Sequence, residues 1–178
     1  MKIYSTRHGE TAYNKEGRVL GVTDLPLNET GITQAAGLAE HIAELGDVDI
    51  IIASPLKRAQ QTAGAVAERC GLQIITDKRL REWDYGDCEG RSYSTAQFGA
   101  KKREFGVRMG ETGESLLQLA HRVYSAIDDI IENYGGKTVL IVSHGGVCRM
   151  IETYFHNMTQ QEFSGWFMGN CQVIEYNT

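Results

Sequence analysis

The chain has 178 residues, a net charge of −5 and ordinary apolar and charged content, which fits one domain over residues 1–178 burying about two-thirds of its unfolded surface. The acidic balance argues against nucleic acid as a partner and makes any local cationic cluster more informative. No apolar run approaches a membrane span, no signal-peptide pattern precedes the first strand, and Cys70, Cys88, Cys148 and Cys171 form no Cys-x-x-Cys pair. A cytoplasmic protein with reduced thiols and no zinc site is therefore expected.

A short strand-like run, Lys2 to Thr6, ends abruptly at Arg7-His8-Gly9-Glu10-Thr11. This sets a cation and an imidazole at a strand's carboxyl end, where open α/β sheets place their ligands. Tyr13 to Pro26 reads as a loop over the sheet edge. Asn28-Glu29-Thr30 then offers helix-start residues, and Ile32, Ala35, Ala36, Ala39, Ile42 and Ala43 keep helical spacing until Gly46. Asp49 to Ala53 suits a buried parallel strand, broken by Ser54-Pro55. A second helix is predicted from Leu56 to Cys70, ending at Gly71, and a third strand from Leu72 to Ile75.

Arg79 to Gly90 has loop chemistry, and Tyr93 to Met109 is expected to be partly helical. Gly113-Glu114-Ser115 starts a long amphipathic helix closed by Gly135-Gly136. Thr138 to Val142 is the clearest buried strand; it runs into Ser143-His144-Gly145-Gly146 and a helix from Val147 towards His156. Gln172 to Tyr176 suits a final edge strand. This alternation implies an α/β fold of three layers, a mostly parallel sheet with helices on both faces and a small cap between the third strand and the Gly113-Glu114-Ser115 helix.

Four blocks, in this order, resemble the histidine phosphatase superfamily, the group that includes phosphoglycerate mutase. They are Arg7-His8-Gly9-Glu10-Thr11 with Asn14, Ser54-Pro55-Leu56-Lys57-Arg58, Leu80-Arg81-Glu82-Trp83-Asp84-Tyr85-Gly86, and Val142-Ser143-His144-Gly145-Gly146. The resemblance implies that His8 is the nucleophile, that Arg7, Arg58, His144 and the Gly145 amide surround the phosphoryl oxygens, and that Glu82 donates the proton. Composition alone does not choose Glu82 among its neighbours Asp84, Asp87 and Glu89; only the motif does. An isolated arginine such as Arg58 is by default a solvated charge, and His41, His121 and His156 read as ordinary helix residues. The family often carries a tryptophan near the place of Cys88.

Arg18 to Leu27 is similar to the family's substrate-side loop, with Asn14 and Gly21 as expected substrate contacts and Leu20 where many relatives have glutamine. The short stretch from Arg91 to Gly113 favours a compact phosphatase over a mutase with a longer insertion. Its basic residues, Lys101, Lys102, Arg103 and Arg108, read as a solvated face or as a clamp for a second anionic group. The expected activity is a metal-independent phosphomonoesterase acting through a phosphohistidine on a small phosphorylated metabolite. Sugar phosphates, phosphoglycerates and the nucleotide-loop phosphate of cobalamin synthesis all fit. No metal or other cofactor is expected, since arginines neutralise the phosphate, and no nucleic acid or membrane is a partner; a homodimer stays open. Phosphoglycerate mutation and non-catalytic phospholigand binding are the alternatives.

Overall fold

The structure, a computed structural model, describes residues 1–94 and 104–178. Five strands form one sheet: β1 (Lys2–Arg7), β2 (Ile50–Ala53), β3 (Ile74–Thr76), β4 (Thr138–Ser143) and β5 (Val173–Asn177). Their order is β3-β2-β4-β1-β5; the first four are parallel and β5 runs antiparallel to β1 at the edge. The helices are α1 (Ala12–Lys15), α2 (Glu29–Leu45), α3 (Lys57–Cys70), α4 (Leu116–Asn133), α5 (Gly145–Phe155) and α6 (Gln160–Gly165). The expected α/β fold with a mostly parallel central sheet is thus present.

Strand side chains alternate between faces, so the sheet makes two apolar layers. Ile3, Ile52, Val139 and Ile141 pack with α4 and α5, whereas Tyr4, Ile51, Leu140 and Val142 pack with α2 and α3. Each helix begins and ends for local reasons. Asn28 caps α2 by accepting from the Gly31 amide, and Gly46 ends it at φ 67°. Ser115 caps α4 in a reciprocal box with Gln118.

Several expectations require correction. The segment from Tyr13 is not all loop, because Thr11 and Asn14 form a capping box that closes the one-turn helix α1. Ile32, expected on the core face of α2, is 58% exposed. The buried stripe is Gly31, Ala35, Leu38, Ala39 and Ile42, since Gly31 lets the helix backbone press against the β1 turn. A Cβ on Gly31 would stand 2.1 Å from the Glu10 carbonyl oxygen, and one on Gly9 would stand 2.5 Å from that of Gly31. The third strand lies slightly later than predicted, and α6 had no counterpart in the sequence reading. Of the stretch from Tyr93 to Met109, residues 95–103 lie outside the described residues, so the cap cations Lys101, Lys102 and Arg103 do too; the described remainder contains no helix.

Candidate active site

The carboxyl ends of β1, β4 and β2 lie side by side. Arg7 is in register with Ser143, the His8 amide donates to the Ser143 carbonyl at 2.9 Å, and the Ser54 amide donates to that of Val142 at 3.0 Å. His8 and His144, which are 136 positions apart in the chain, therefore meet with ring centroids 5.1 Å apart. Both are buried; His8 lines a cavity of about 410 Å³, within the usual range for small-molecule sites, whereas His144 stands behind His8 and is not among the lining residues. Arg7, His8, Asn14, Leu20, Glu82 and Gly145 line this cavity.

His8 Nδ1 lies 2.7 Å from the Gly9 carbonyl oxygen, which can only accept, so Nδ1 carries the proton. Nε2 is then the lone-pair nitrogen, and it accepts from Arg58 Nε at 3.2 Å. Burial, followed by the charges of Arg58 and Arg7, holds the His8 pKa well below the ordinary value, against the opposing pull of the Gly9 carbonyl. Burial and then Arg58 do the same to His144, whose Nε2 is 2.7 Å from Ser54 Oγ. Both rings are thus neutral at physiological pH.

Arg58 is fully buried and stands behind His8 rather than in the cavity lining. It also donates to the carbonyls of Gly21 at 2.6 Å and Thr23 at 2.9 Å. Burial lowers its pKa to about 10, which leaves it charged. Arg7 donates to the Met168 carbonyl at 3.0 Å and lies over the Phe167 ring. Among the described residues, no carboxylate comes within ion-pair distance of Arg7 or Arg58. This surplus of positive charge is unusual in an acidic protein and suits an anion. Gly145 opens α5, so a helix amino terminus, which favours anions, also faces the cavity.

Glu82 is 5% exposed and accepts from the amides of Trp83 at 2.8 Å and Gly146 at 3.1 Å. Asp84, Asp87 and Glu89 are not among the lining residues. Asp84 accepts from the Gly86 amide, and Glu89 accepts from the amides of Val22 and Thr23 and from the Thr23 hydroxyl, tying down the loop around Leu20. Gly21 also lies outside the lining. A Cβ there would stand 2.4 Å from both the Trp83 carbonyl oxygen and Glu89 Oε1, so this glycine serves close packing behind the site. Arg108 forms a bridge to Ser115 and does not line the cavity.

The sequence reading missed two groups. One is the wall formed by Arg149, Phe167, Met168 and Asn170, in which Asn170 Nδ2 donates to the His8 carbonyl at 2.7 Å. The other is Arg122, which grips the segment carrying Glu82. It donates to the carbonyls of Arg79, Arg81 and Glu82 and pairs with Glu114 at 2.8 Å. A signal for Arg122 existed, because it shares the buried face of α4 with Leu119, Val123 and Ala126.

A sequence profile described as the histidine phosphatase superfamily (branch 1) matches residues 3–178. The chain belongs to this superfamily. Among relatives of the histidine phosphatase family, a protein named probable phosphoglycerate mutase GpmB from Yersinia pestis (strain Pestoides F) is 40% identical over 152 residues, covering 82% of this chain and 70% of that one. A mycobacterial glucosyl-3-phosphoglycerate phosphatase in complex with VO3 superposes with a TM-score of 0.87 at 28% identity, covering 98% of this chain and 91% of the other. An Entamoeba histolytica phosphoserine phosphatase in complex with 3-phosphoglyceric acid gives 0.86 at 28% identity, covering 98% and 89%. The histidine phosphatase assignment and these phosphatase neighbours together make the chain a phosphatase-type enzyme.

Proposed function

We propose that the chain is a phosphomonoesterase that needs no metal and hydrolyses a small phosphorylated metabolite through a phosphohistidine at His8. The observation that carries this reading is the fixed tautomer of His8: its Nδ1 proton is held by Gly9, which leaves Nε2 as the lone-pair nitrogen, released to phosphorus once Arg58 Nε turns to a phosphoryl oxygen, and His8 lines the cavity. A buried, neutral imidazole so arranged is a ready nucleophile. Phosphoryl transfer is chiefly a matter of positioning and charge stabilisation, and Arg7, Arg58, His144 and the α5 amino terminus supply both.

The steps balance. His8 Nε2 bonds to phosphorus as the P–O ester bond breaks, and Glu82 gives its proton to the departing alkoxide. Arg58 Nε, which loses its acceptor when Nε2 is phosphorylated, then serves a phosphoryl oxygen. Water attacks the phosphohistidine, Glu82 takes back a proton, and phosphate leaves with His8 restored. Asn14 and Gly145 contact the substrate from the cavity wall, whereas Gly21 acts by holding Arg58. The two apolar layers on one sheet support residues 1–178 as one domain. A cytoplasmic setting is part of the proposal; among the described residues no helix is long and apolar enough to cross a membrane.

The test is a rapid quench of the enzyme with p-nitrophenyl phosphate in EDTA. An acid-labile, base-stable phosphate should map to His8, and His8→Ala should abolish both adduct and turnover. Loss of activity on chelation, with recovery on adding a divalent ion, would sink the metal-free mechanism. The name of the Yersinia relative favours a second reading, phosphoglycerate mutation. Formation of 2-phosphoglycerate from 3-phosphoglycerate with catalytic 2,3-bisphosphoglycerate, rather than release of phosphate, would establish it.

A further inference from the structure

The peptide between Gly9 and Glu10 joins His8 to a side chain outside the cavity. Its carbonyl oxygen takes the Nδ1 proton of His8 at 2.7 Å, and its N–H donates to Gln34 Oε1 at 2.8 Å. The C=O and N–H of a trans peptide point in opposite directions, so a partner that fixes one aims the other. Because a backbone N–H can only donate, it is the oxygen of the Gln34 amide that faces it.

Gly9 makes such a partner necessary. Position 9 must lack a Cβ, because one would stand 2.5 Å from the Gly31 carbonyl oxygen. Glycine has the widest backbone freedom of any residue, and here that freedom falls next to the imidazole. The two peptides flanking Gly9 are accordingly held by different side chains. The preceding one is gripped at its C=O by Asn170 Nδ2 at 2.7 Å and at its N–H by Thr62 Oγ1 at 3.1 Å. The following one, which carries the carbonyl that His8 uses, is held by Gln34. Beyond it the Asn28 amide donates to the Glu10 carbonyl at 3.0 Å. Gln34 reaches the turn because it follows Gly31 by three residues on α2, and Gly31 brings that helix face against Glu10. It does not line the cavity, so its influence on the reaction passes through His8.

We infer that Gln34 is a positioning residue for His8: it aims and polarises the Gly9 carbonyl that holds the Nδ1 proton while Nε2 attacks phosphorus. Hydrogen bonds in a chain strengthen one another, so an acceptor on the Glu10 N–H makes the Gly9 oxygen a better acceptor in turn. The need is greatest in the transition state. As Nε2 shares its lone pair with phosphorus and releases the Arg58 donor, the ring gains positive charge and the Nδ1 proton stays in place. Burial, Arg58 and Arg7 all oppose charge on this ring, and the Gly9 carbonyl is the influence that favours it. An interaction that strengthens as the bond forms raises the rate of that step rather than the affinity for the ester. The inference rests on His8 being the nucleophile of the phosphatase reading, but its first readout does not require turnover.

The experiment compares the full chain with Gln34→Met, which fills similar space without an oxygen acceptor, and Gln34→Glu, which keeps one. Proton–nitrogen NMR of chain made with isotope-labelled histidine reads the His8 Nδ1–H resonance, assigned by its absence in His8→Asn. Gln34→Met should move it upfield, the direction of a weaker hydrogen bond, and Gln34→Glu should hold it near its original place. Rapid quench with p-nitrophenyl phosphate should show His8 phosphorylation slowed about three- to tenfold in Gln34→Met, the factor that one ordinary hydrogen bond contributes. Affinity for inorganic phosphate should change by about twofold at most, and Gln34→Glu should recover most of the rate. An unmoved resonance in Gln34→Met, or a rate loss that Gln34→Glu does not recover, would overturn the inference. So would a fall in phosphate affinity as large as the fall in rate, the mark of a merely structural role. Failure of the phosphatase reading would look different: the resonance would still respond to Gln34, and no phosphate would be found on His8 in the unmodified chain.

Discussion

Replacing Gly146 by alanine tests the role of Glu82 without touching its chemistry. A Cβ at position 146 would stand 2.6 Å from Glu82 Oε1, 3.4 Å from its Cδ and 3.5 Å from Trp83 Cβ. Carbon contacts settle near 3.5 to 4 Å, so the carboxyl must retreat by on the order of 1 Å. That shift also stretches the bonds from the Trp83 and Gly146 amides. In the fold, the loss of about 0.5–1.5 kcal/mol for a weakened hydrogen bond is offset by up to about 1 kcal/mol of helix propensity gained over glycine. Stability should therefore change little. Catalysis should not be spared, because a misplacement of this size costs about 10²-fold when the group must deliver a proton. The assay compares kcat/KM for an alkyl phosphate with that for p-nitrophenyl phosphate, whose leaving group needs little protonation. Gly146→Ala should depress the first by about 10²-fold and the second much less. In a Glu82→Gln background it should add little. Equal losses on both esters, or fully additive effects in the double variant, would show that the new methyl merely obstructs the cavity and would refute the reasoning.

Two further outcomes follow from the buried groups. His8 and His144 resist protonation in the folded chain, whereas the unfolded chain takes up protons near pH 6.5. Stability should consequently fall as pH drops below 6.5, by about 1.4 kcal/mol per histidine at pH 5.5. Urea midpoints at pH 7.5 and 5.5 check this: the acid loss should shrink in His8→Asn and His144→Asn variants, and an equal loss in all three would contradict it. Gly21→Ala puts a methyl against the Trp83 carbonyl, Glu89 and Tyr85, so overpacking of about 1–3 kcal/mol should lower Tm; an unchanged Tm would refute that packing.

The parallel sheet and the meeting of the two histidines were legible because a short apolar run that stops at charge and glycine is a strong local signal, and it occurs at both Arg7 and Ser143. What failed to show in the sequence had physical reasons. Gly31 carries no hydrophobic signature, so periodicity started the α2 stripe at Ile32 and included the exposed Ala36, although Ala35, Ala39 and Ile42 were placed correctly. Helix α1 spans one turn, too short for any period to register. Gly21 was expected as a ligand contact from its place in a stretch similar to the family's substrate-side loop, and its neighbours Trp83, Tyr85 and Glu89 put it in close packing outside the cavity lining. Arg149 was within reach, sitting one turn beyond the Gly145-Gly146 pair. The wall of Phe167, Met168 and Asn170 was not, since it arrives by the antiparallel return of the chain and has no pattern of its own.

That return has a consequence for biosynthesis. β1 is made first, yet its two sheet neighbours, β4 and β5, are the last strands made, and Asn170 fastens the carbonyl of His8 through its side-chain amide. The nascent chain must keep both edges of an apolar strand unsatisfied through most of its synthesis, a condition that slows folding and invites aggregation. It also means that His8 is seated last. A chain interrupted on the ribosome before Gly165 would lack the floor of its own cavity, so half-made molecules should be phosphatase-silent however well α2 and α3 have already packed.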